Sequence, residues 1–138
     1  MEKFKLLKFD KLGDENGYLI SLEENRNISF TIKRVFYIFG TKKDVVRGKH
    51  ALRKGKQLLI AVHGECKVLV DDGFQREVFH LDNQEKGLLI NGMVWREMYD
   101  FSKDCVLLVI SDEHFSEEDY IHDYQEFLQM VLVNDRGN

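Results

Sequence analysis

The hydrophobic and polar positions along the chain predict many short strands followed by one helix. Several apolar runs are rich in β-branched and aromatic residues, which half-buried pleated strands favour. The predicted strands cover residues 4–9, 18–22, 34–39, 49–53, 57–62, 66–70, 77–81, 87–90, 94–98 and 105–111. Glycine-containing turns separate several of them, at 54–56, 63–65, 71–73 and 91–92. Short strands joined by such turns are typical of an antiparallel sandwich or barrel, so the predicted fold class is all-β.

The C-terminal segment changes to a helical period. Its apolar side chains recur at the i, i+4, i+7, i+8 spacing of one helical face, at Tyr120, Ile121, Tyr124, Phe127, Leu128 and Val131. Ser116 is a suitable N-cap, and the acidic residues 117–119 favour the positive end of a helix dipole. We therefore predict a helix over about 116–132 that packs on the sheet or on a partner subunit.

Length and composition narrow the possible functions. The 138 residues contain no internal repeat and no Gly/Ser-rich linker, which predicts a single domain over 1–138. The net charge is −4 and no basic face is evident, so no nucleic-acid partner is expected. The first residues lack the apolar run of a signal peptide, and no later run is long enough to span a bilayer. We therefore expect a cytoplasmic location without membrane contact, and we expect Cys66 and Cys105 to be buried, reduced thiols.

A histidine-bearing strand is the most informative part of the chain. Residues 47–52, followed by Gln57 and Gly64, resemble the first cupin motif, in which a glycine precedes His-x-His, a glutamate follows and a glycine closes the hairpin. Residues two apart in a strand face the same side, so this spacing directs both histidines into the barrel. Here Leu52 and Gln57 occupy the positions of the second histidine and the acid. Only His50 remains as a strong ligand, and the sequence therefore predicts no metal site.

Several further runs appear in the same order as in one cupin family. They are residues 32–39, 47–51, 71–73, 87–88, 94–98, 100–102, 104–106, 119–121 and 123–124. Over roughly residues 5 to 130 the chain resembles the WxcM-like sugar 3,4-ketoisomerases, which act on dTDP-4-keto-6-deoxy-D-glucose. The resemblance implies a cupin jelly-roll barrel with a C-terminal helix, a homodimer, and neither a metal nor an organic cofactor. It also implies a 3-keto product that an aminotransferase converts to a 3-amino-3,6-dideoxyhexose for surface glycans or antibiotics.

The resemblance suggests roles for four residues. His50 matches an active-site histidine, and we expect it to transfer the proton; by itself it is equally consistent with a hydrogen-bonded core residue. Tyr37 matches an active-site tyrosine that donates to the sugar oxygens or shuttles a proton with them, with an aromatic core residue as the alternative. Arg34 and Arg47 are candidates for the substrate pyrophosphate, because a guanidinium engages phosphate oxygens bidentately. Each is otherwise an exposed charge at a strand end.

Residues 95–99 bear on the stereochemistry of the product. The branch of the family that makes the galacto-configured product tends to carry histidine where Arg96 stands, so the resemblance favours the gluco product. Tyr18 is a candidate for the same pocket. Trp95 is either a platform for the ligand or a core residue.

One departure from the family keeps other functions open. Leu52 replaces the second histidine, which leaves three explanations. His50 and Tyr37 suffice for catalysis, another group such as His63 takes the place of the second histidine, or the protein has lost its activity. We favour the first explanation. A 3,5-epimerase acting on the same class of sugar is one alternative function. A catalytically silent sugar-nucleotide-binding cupin is another, and the loss of the second histidine is its best support.

Overall fold

Two five-stranded antiparallel sheets face each other in the computed structural model, which describes residues 2–136. The strands are β1 (Phe4–Lys8), β2 (Leu12–Asp14), β3 (Gly17–Leu19), β4 (Arg34–Phe39), β5 (Arg47–Leu52), β6 (Lys56–His63), β7 (Cys66–Asp71), β8 (Arg76–Leu81), β9 (Lys86–Asn91), β10 (Trp95–Tyr99), β11 (Val106–Ser111) and β12 (Tyr120–Ile121). One sheet has the order β1-β9-β6-β11-β4 and the other β12-β5-β10-β7-β8, while β2 and β3 form a separate hairpin. From β4 to β7 each connection crosses to the opposite sheet. The predicted all-β jelly-roll fold is confirmed.

The main core lies between the two sheets. Alternate residues of the strands point inward and are buried there, among them Leu59, Val68, Leu88, Leu107 and Val109. Cys66 and Cys105 belong to the same core as free thiols, as expected. Burial raises the pKa of both thiols. A second apolar cluster on the outer face of the first sheet is covered by residues that precede β4, including Ile28 and Phe30.

The C-terminal helix begins later than the sequence predicts. Helix α1 spans Tyr124–Arg136, and the predicted start at Ser116 is wrong. Residues 117–119 form one 3-10 turn, which Ser116 precedes without a side-chain capping bond, and residues 120–121 form β12. The physical reason is that the backbone of β12 pairs with the end of β5, which satisfies its polar groups in a ladder. Asp123 caps α1 instead, because its Oδ1 accepts a hydrogen bond from the Glu126 amide at 3.1 Å.

Helix α1 packs on the outer face of the second sheet. Phe127 is fully buried there against Trp95, with ring centroids 6.1 Å apart, and Tyr124 meets the same indole at 5.3 Å. The Tyr124 hydroxyl also donates to Asp71 Oδ2 at 2.5 Å. The helical face predicted from Tyr124 onward is therefore the face that binds the sheet. Within residues 2–136, no helix has both the length and the apolar character needed to cross a membrane.

The strand predictions differ from the structure mainly near the N-terminus. The β2–β3 hairpin replaces the single strand predicted over 18–22, because β2 has only three residues, one of them glycine, and shows no alternation. Most other predicted strands agree within about two residues at each end, and β4 matches at both.

Candidate active site

A cavity opens along the gap between β4 and β5. β4 is the edge of the first sheet, and β12 pairs only with the last two residues of β5, so residues 47–50 border the gap. The cavity has a volume of about 440 Å³, a size suited to a small-molecule ligand. Its polar and aromatic lining includes Arg34, Phe36, Tyr37, Arg47, His50, Gln57, Arg96 and Tyr120. Three arginines and no carboxylate occur among the described lining residues, so the cavity favours an anionic ligand.

A backbone bulge directs His50 toward the cavity. Gly48 and Lys49 have φ values of 83° and 55°, and the β5–β10 register shifts there, pairing Arg96 with His50 but Glu97 with Gly48. A Cβ atom on Gly48 would lie 2.9 Å from Met98 Sδ and 3.0 Å from the Arg96 carbonyl oxygen. The site therefore requires glycine at this position for two reasons, the left-handed backbone and the close approach of β10.

The His50 imidazole is held in its neutral form. Its Nδ1 is buried, with no hydrogen-bond partner among the described residues. Burial, followed by the charge of Arg96 and that of His122, lowers the pKa of His50 from 6.5 to about 3. At neutral pH the ring is thus uncharged, and one of its two nitrogens carries no proton.

Arg96 is a buried cation without a carboxylate partner in the described part of the chain. It is only 2% exposed, its Nη1 donates to Gln57 Oε1 at 2.7 Å, and Nη2 donates to the Val94 carbonyl oxygen at 3.1 Å. Burial lowers the pKa of Arg96 to about 10, so the guanidinium is still charged at neutral pH. Because Gln57 is uncharged, the positive charge remains available to a ligand in the cavity.

Arg34 and Tyr120 line the cavity and contact each other. The Arg34 guanidinium lies over the Phe36 ring, 4.2 Å from its centroid, and its Nη1 donates to Tyr120 Oη at 3.4 Å. The Tyr120 ring packs edge-on against His50, with centroids 4.8 Å apart. Arg47 lies at the start of β5, where it is exposed at the cavity mouth.

Comparison with known proteins shows the family to which this chain belongs. The WxcM-like, C-terminal (FdtA) family model matches residues 2–132. This chain belongs to the WxcM-like family. The TDP-4-oxo-6-deoxy-α-D-glucose-3,4-oxoisomerase of Aneurinibacillus thermoaerophilus is 43% identical over 127 residues, which cover 92% of this chain and 91% of the relative.

Solved structures of 3,4-ketoisomerases resemble the WxcM-like chain closely. The enzyme from Helicobacter canadensis has a TM-score of 0.92 at 41% identity and covers 96% of this chain and 99% of its own. A mutant of QdtA from Thermoanaerobacterium thermosaccharolyticum, in complex with TDP-4-keto-6-deoxyglucose, has a TM-score of 0.91 at 36% identity and covers 95% of each chain. The family predicted from the sequence runs is therefore confirmed.

Five of the predicted site residues of the WxcM-like protein line one cavity: Arg34, Tyr37, Arg47, His50 and Arg96. Tyr37 does so from the rim and is 61% exposed, because the alternation of β4 directs Phe36 and Ile38 inward and Tyr37 outward.

Two other predicted residues do not line the cavity. Trp95 faces the helix side of β10, one residue before the inward Arg96, and its Nε1 donates to Glu97 Oε2 at 2.9 Å. This placement corresponds to the core alternative for Trp95. Tyr18 lies on the β2–β3 hairpin and is 59% exposed.

The structure adds two residues to the site that the sequence did not assign to it. In the sequence Gln57 only occupies the position of a lost metal ligand, yet it holds the Arg96 guanidinium. The helical spacing places Tyr120 on a helix face, and the only sequence signal for its place in the site is the run 119–121 shared with the family. His63 lies outside this cavity, with its side chain 65% exposed and its Nε2 3.2 Å from Asp104. No cluster of three metal-ligating side chains occurs within the described residues.

Proposed function

We propose that the chain isomerises dTDP-4-keto-6-deoxy-D-glucose to the dTDP-3-keto-6-deoxy sugar. The observation that carries the proposal is a cavity in which a neutral histidine and a buried, unpaired arginine lie side by side, with no carboxylate among the described lining residues. Such a site suits proton transfer next to a carbonyl, because the negative charge that develops has a fixed cation beside it. Membership of the WxcM-like family and the named activity of the 43% identical relative support the same reaction.

The reaction removes a proton from C3 and delivers one to C4. His50 removes the proton from C3, which is acidified by the C4 carbonyl, and the electron pair passes to O4 to give an enediolate. Delivery of a proton to C4 and loss of the O3 proton leave the carbonyl at C3; because H3 and H4 lie on opposite faces of a gluco-configured ring, the gluco product requires C4 to be protonated on the face opposite the one that His50 deprotonates. The Arg96 cation stabilises the enediolate, and the negative charge of this intermediate in turn raises the proton affinity of His50. A base with a low pKa in the empty site thus becomes stronger when the intermediate forms.

Tyr37 completes the proton transfer between the sugar oxygens. A tyrosine hydroxyl both donates and accepts, so it can give a proton to O4 and receive one from O3. Tyr37 lines the rim of the cavity, and its match to an active-site tyrosine of the family supports this role. We therefore assign His50 to the proton on C3 and Tyr37 to the protons of the two oxygen atoms.

Arg34 and Arg47 supply the charge for the pyrophosphate. Both line the cavity, and a guanidinium binds two phosphate oxygens at once. Arg96, together with Tyr18, is assigned to the choice of the face on which C4 is protonated, and we propose the gluco product.

The active form is proposed to be a cytoplasmic homodimer. The β2–β3 hairpin and the outer face of β4 carry exposed apolar side chains, namely Leu12, Tyr18, Leu19, Val35 and Phe39. Exposed apolar surface of this kind is typical of protein–protein contacts. Packing of the hairpin of one protomer beside β4 of its partner brings Tyr18 to a cavity mouth. Analytical ultracentrifugation of a Leu19→Asp variant tests this arrangement, since a charge in the contact is expected to yield monomers; an unchanged dimer would place the interface elsewhere.

The experiment that tests the reaction is proton NMR of the purified protein with dTDP-4-keto-6-deoxyglucose in D₂O. We expect a new 3-keto species that is absent with His50→Asn, and its coupling constants identify the C4 configuration. His63→Asn is the matched control and is expected to retain activity, because His63 lies outside the cavity. Exchange at C5 with a changed ring configuration would instead indicate an epimerase. Tight dTDP binding without turnover would indicate a non-catalytic binding protein.

A further inference from the structure

Tyr120 contacts two groups of the proposed site at once. Its ring meets the His50 imidazole edge-on at 4.8 Å, and its hydroxyl oxygen accepts a hydrogen bond from Arg34 Nη1 at 3.4 Å. No other described residue makes aromatic contact with His50 and also a hydrogen bond to an arginine of the cavity. The contacts come from a segment more than sixty residues from His50 in the chain.

The position of Tyr120 is fixed from several sides. β12 pairs with the end of β5 so that Tyr120 lies directly opposite Leu52. The ring also packs against Phe115 at 5.6 Å and is stacked on His122 at 5.8 Å, with only 12° between the ring planes. A side chain held by a ladder and by three aromatic neighbours is well suited to hold other groups in place.

We propose that Tyr120 is a positioning residue for the proposed isomerase, with its ring orienting His50 and its hydroxyl orienting Arg34. The inference rests on the proposed function for its catalytic consequence, whereas the two contacts are independent of it. The two halves of the side chain act on different groups, so they are separable by substitution.

The ring matters for His50 because little else orients the imidazole. His50 Nδ1 has no hydrogen-bond partner among the described residues, so packing rather than hydrogen bonding sets the ring orientation. The neighbour at position 52 is a leucine, which supplies no polar anchor. Removing the Tyr120 ring leaves a space beside His50 and lets the base rotate away from the substrate, and a loss of alignment of this kind lowers the rate of the chemical step.

The hydroxyl matters for Arg34 because, among the described residues, it accepts the only side-chain hydrogen bond that this guanidinium donates. The Phe36 and Phe115 rings pack on the guanidinium, with their centroids 4.2 and 5.1 Å from its carbon. Packing on a ring does not determine which N–H group points into the cavity. The hydrogen bond to Tyr120 Oη does determine it, because it fixes the direction of Nη1. Losing it is expected to weaken binding of the nucleotide more than it changes the chemistry.

Two substitutions separate these roles. Tyr120→Phe keeps the ring, and we expect the Kd for dTDP and the KM to rise about fivefold while kcat stays within about twofold. Tyr120→Leu removes the ring as well, and we expect kcat to fall at least tenfold below that of Tyr120→Phe. Tyr124→Phe is the matched control: its hydroxyl binds Asp71 outside the cavity, so it is expected to lower Tm without changing Kd or KM.

The titration of His50, followed by NMR of labelled histidine, distinguishes positioning from a general loss of stability. The charged or titratable groups that face His50 are Arg96, His122 and Tyr120 itself. Opening the site in Tyr120→Leu relieves burial, so the pKa of His50 is expected to rise from about 3 towards its ordinary value. Neither Tyr120→Phe nor Tyr124→Phe is expected to shift it.

The outcomes are distinct. A lower Tm in Tyr120→Leu with an unmoved His50 titration and kcat would reduce Tyr120 to a structural residue and overturn the inference. An unchanged Kd for dTDP in Tyr120→Phe would contradict the proposal that the Tyr120 hydroxyl orients Arg34. If the wild-type protein binds dTDP but isomerises nothing, while Tyr120→Phe weakens dTDP binding and Tyr120→Leu raises the pKa of His50, the positioning role holds and the proposed reaction fails.

Discussion

Replacing His50 with asparagine is expected to make the folded protein less sensitive to acid. The fold holds His50 as a neutral ring, and its pKa is lowered from 6.5 to about 3 by burial and by the charges of Arg96 and His122. In the unfolded chain the same histidine takes up a proton below pH about 6.5. Between these two pKa values the unfolded state binds more protons than the folded state, so acid favours unfolding there. The stability that depends on neutral His50 is complete above pH 6.5 and is lost as the pH falls towards 3.

The size of the effect follows from the two pKa values. Each pH unit below the unfolded pKa costs about 1.4 kcal/mol of folding free energy as long as the folded ring stays neutral. At pH 5 the wild-type protein therefore loses about 2 kcal/mol through His50 alone. Carboxylates titrate in the same range, but they are common to both proteins, so their contribution cancels in the difference between wild type and His50→Asn.

Urea denaturation followed by circular dichroism at pH 7.5 and pH 5 measures this difference. Both proteins are compared at one concentration, because subunit association stabilises a dimer by mass action. We expect the free energy of unfolding of the wild type to fall about 2 kcal/mol further than that of His50→Asn. Equal losses, within about 0.5 kcal/mol, would mean that His50 is protonated in the fold, and the reasoning that makes it a free base in the cavity would be refuted.

Three further outcomes test other parts of the structure. Gly48→Ala is expected to destabilise the fold by about 2 kcal/mol and to abolish isomerisation, because the left-handed backbone and the close approach of β10 exclude a Cβ; thermal unfolding and the NMR assay check it. Cys66 and Cys105 are expected to resist a thiol reagent at pH 8 until urea unfolds the chain, since both are buried with raised pKa values; absorbance of the released thiolate follows the reaction, and fast native labelling would contradict it. Tyr124→Phe is expected to cost about 1–2 kcal/mol, because it leaves the Asp71 carboxylate short of a donor; calorimetry measures it, and an unchanged Tm would show that helix docking does not depend on this bond.

Much of the architecture follows from local patterns in the sequence. Alternation and turn residues predicted the strand content, and β4 was predicted with both its ends. The sequence also predicts the His50 strand, its glycine and the missing second ligand, because the alternation of residues along one strand determines which side chains share a face. These features depend on side chains a few residues apart, which is the range over which periodicity carries information.

The site itself depended on contacts between distant parts of the chain. Gln57 meets Arg96 across 39 residues, and Arg34 meets Tyr120 across 86. The apolar residues around position 120 do follow a helical period. An extended segment can nevertheless form hydrogen bonds with the edge of β5, whereas a helix cannot, so residues 120–121 form a strand. The residues of one segment do not indicate which distant strand has an edge that is free for pairing.

The sequence by itself therefore determined the strand pattern, the inward direction of His50 and the family, because each of these depends on the spacing of nearby residues or on short runs of residues. Only the tertiary structure decided that Tyr37 lies at the rim, that Trp95 belongs to the helix interface, and that Tyr120 enters the cavity. The physical reason is that a strand's period states which residues lie on opposite faces, whereas the packing of sheets and helix decides what each face meets.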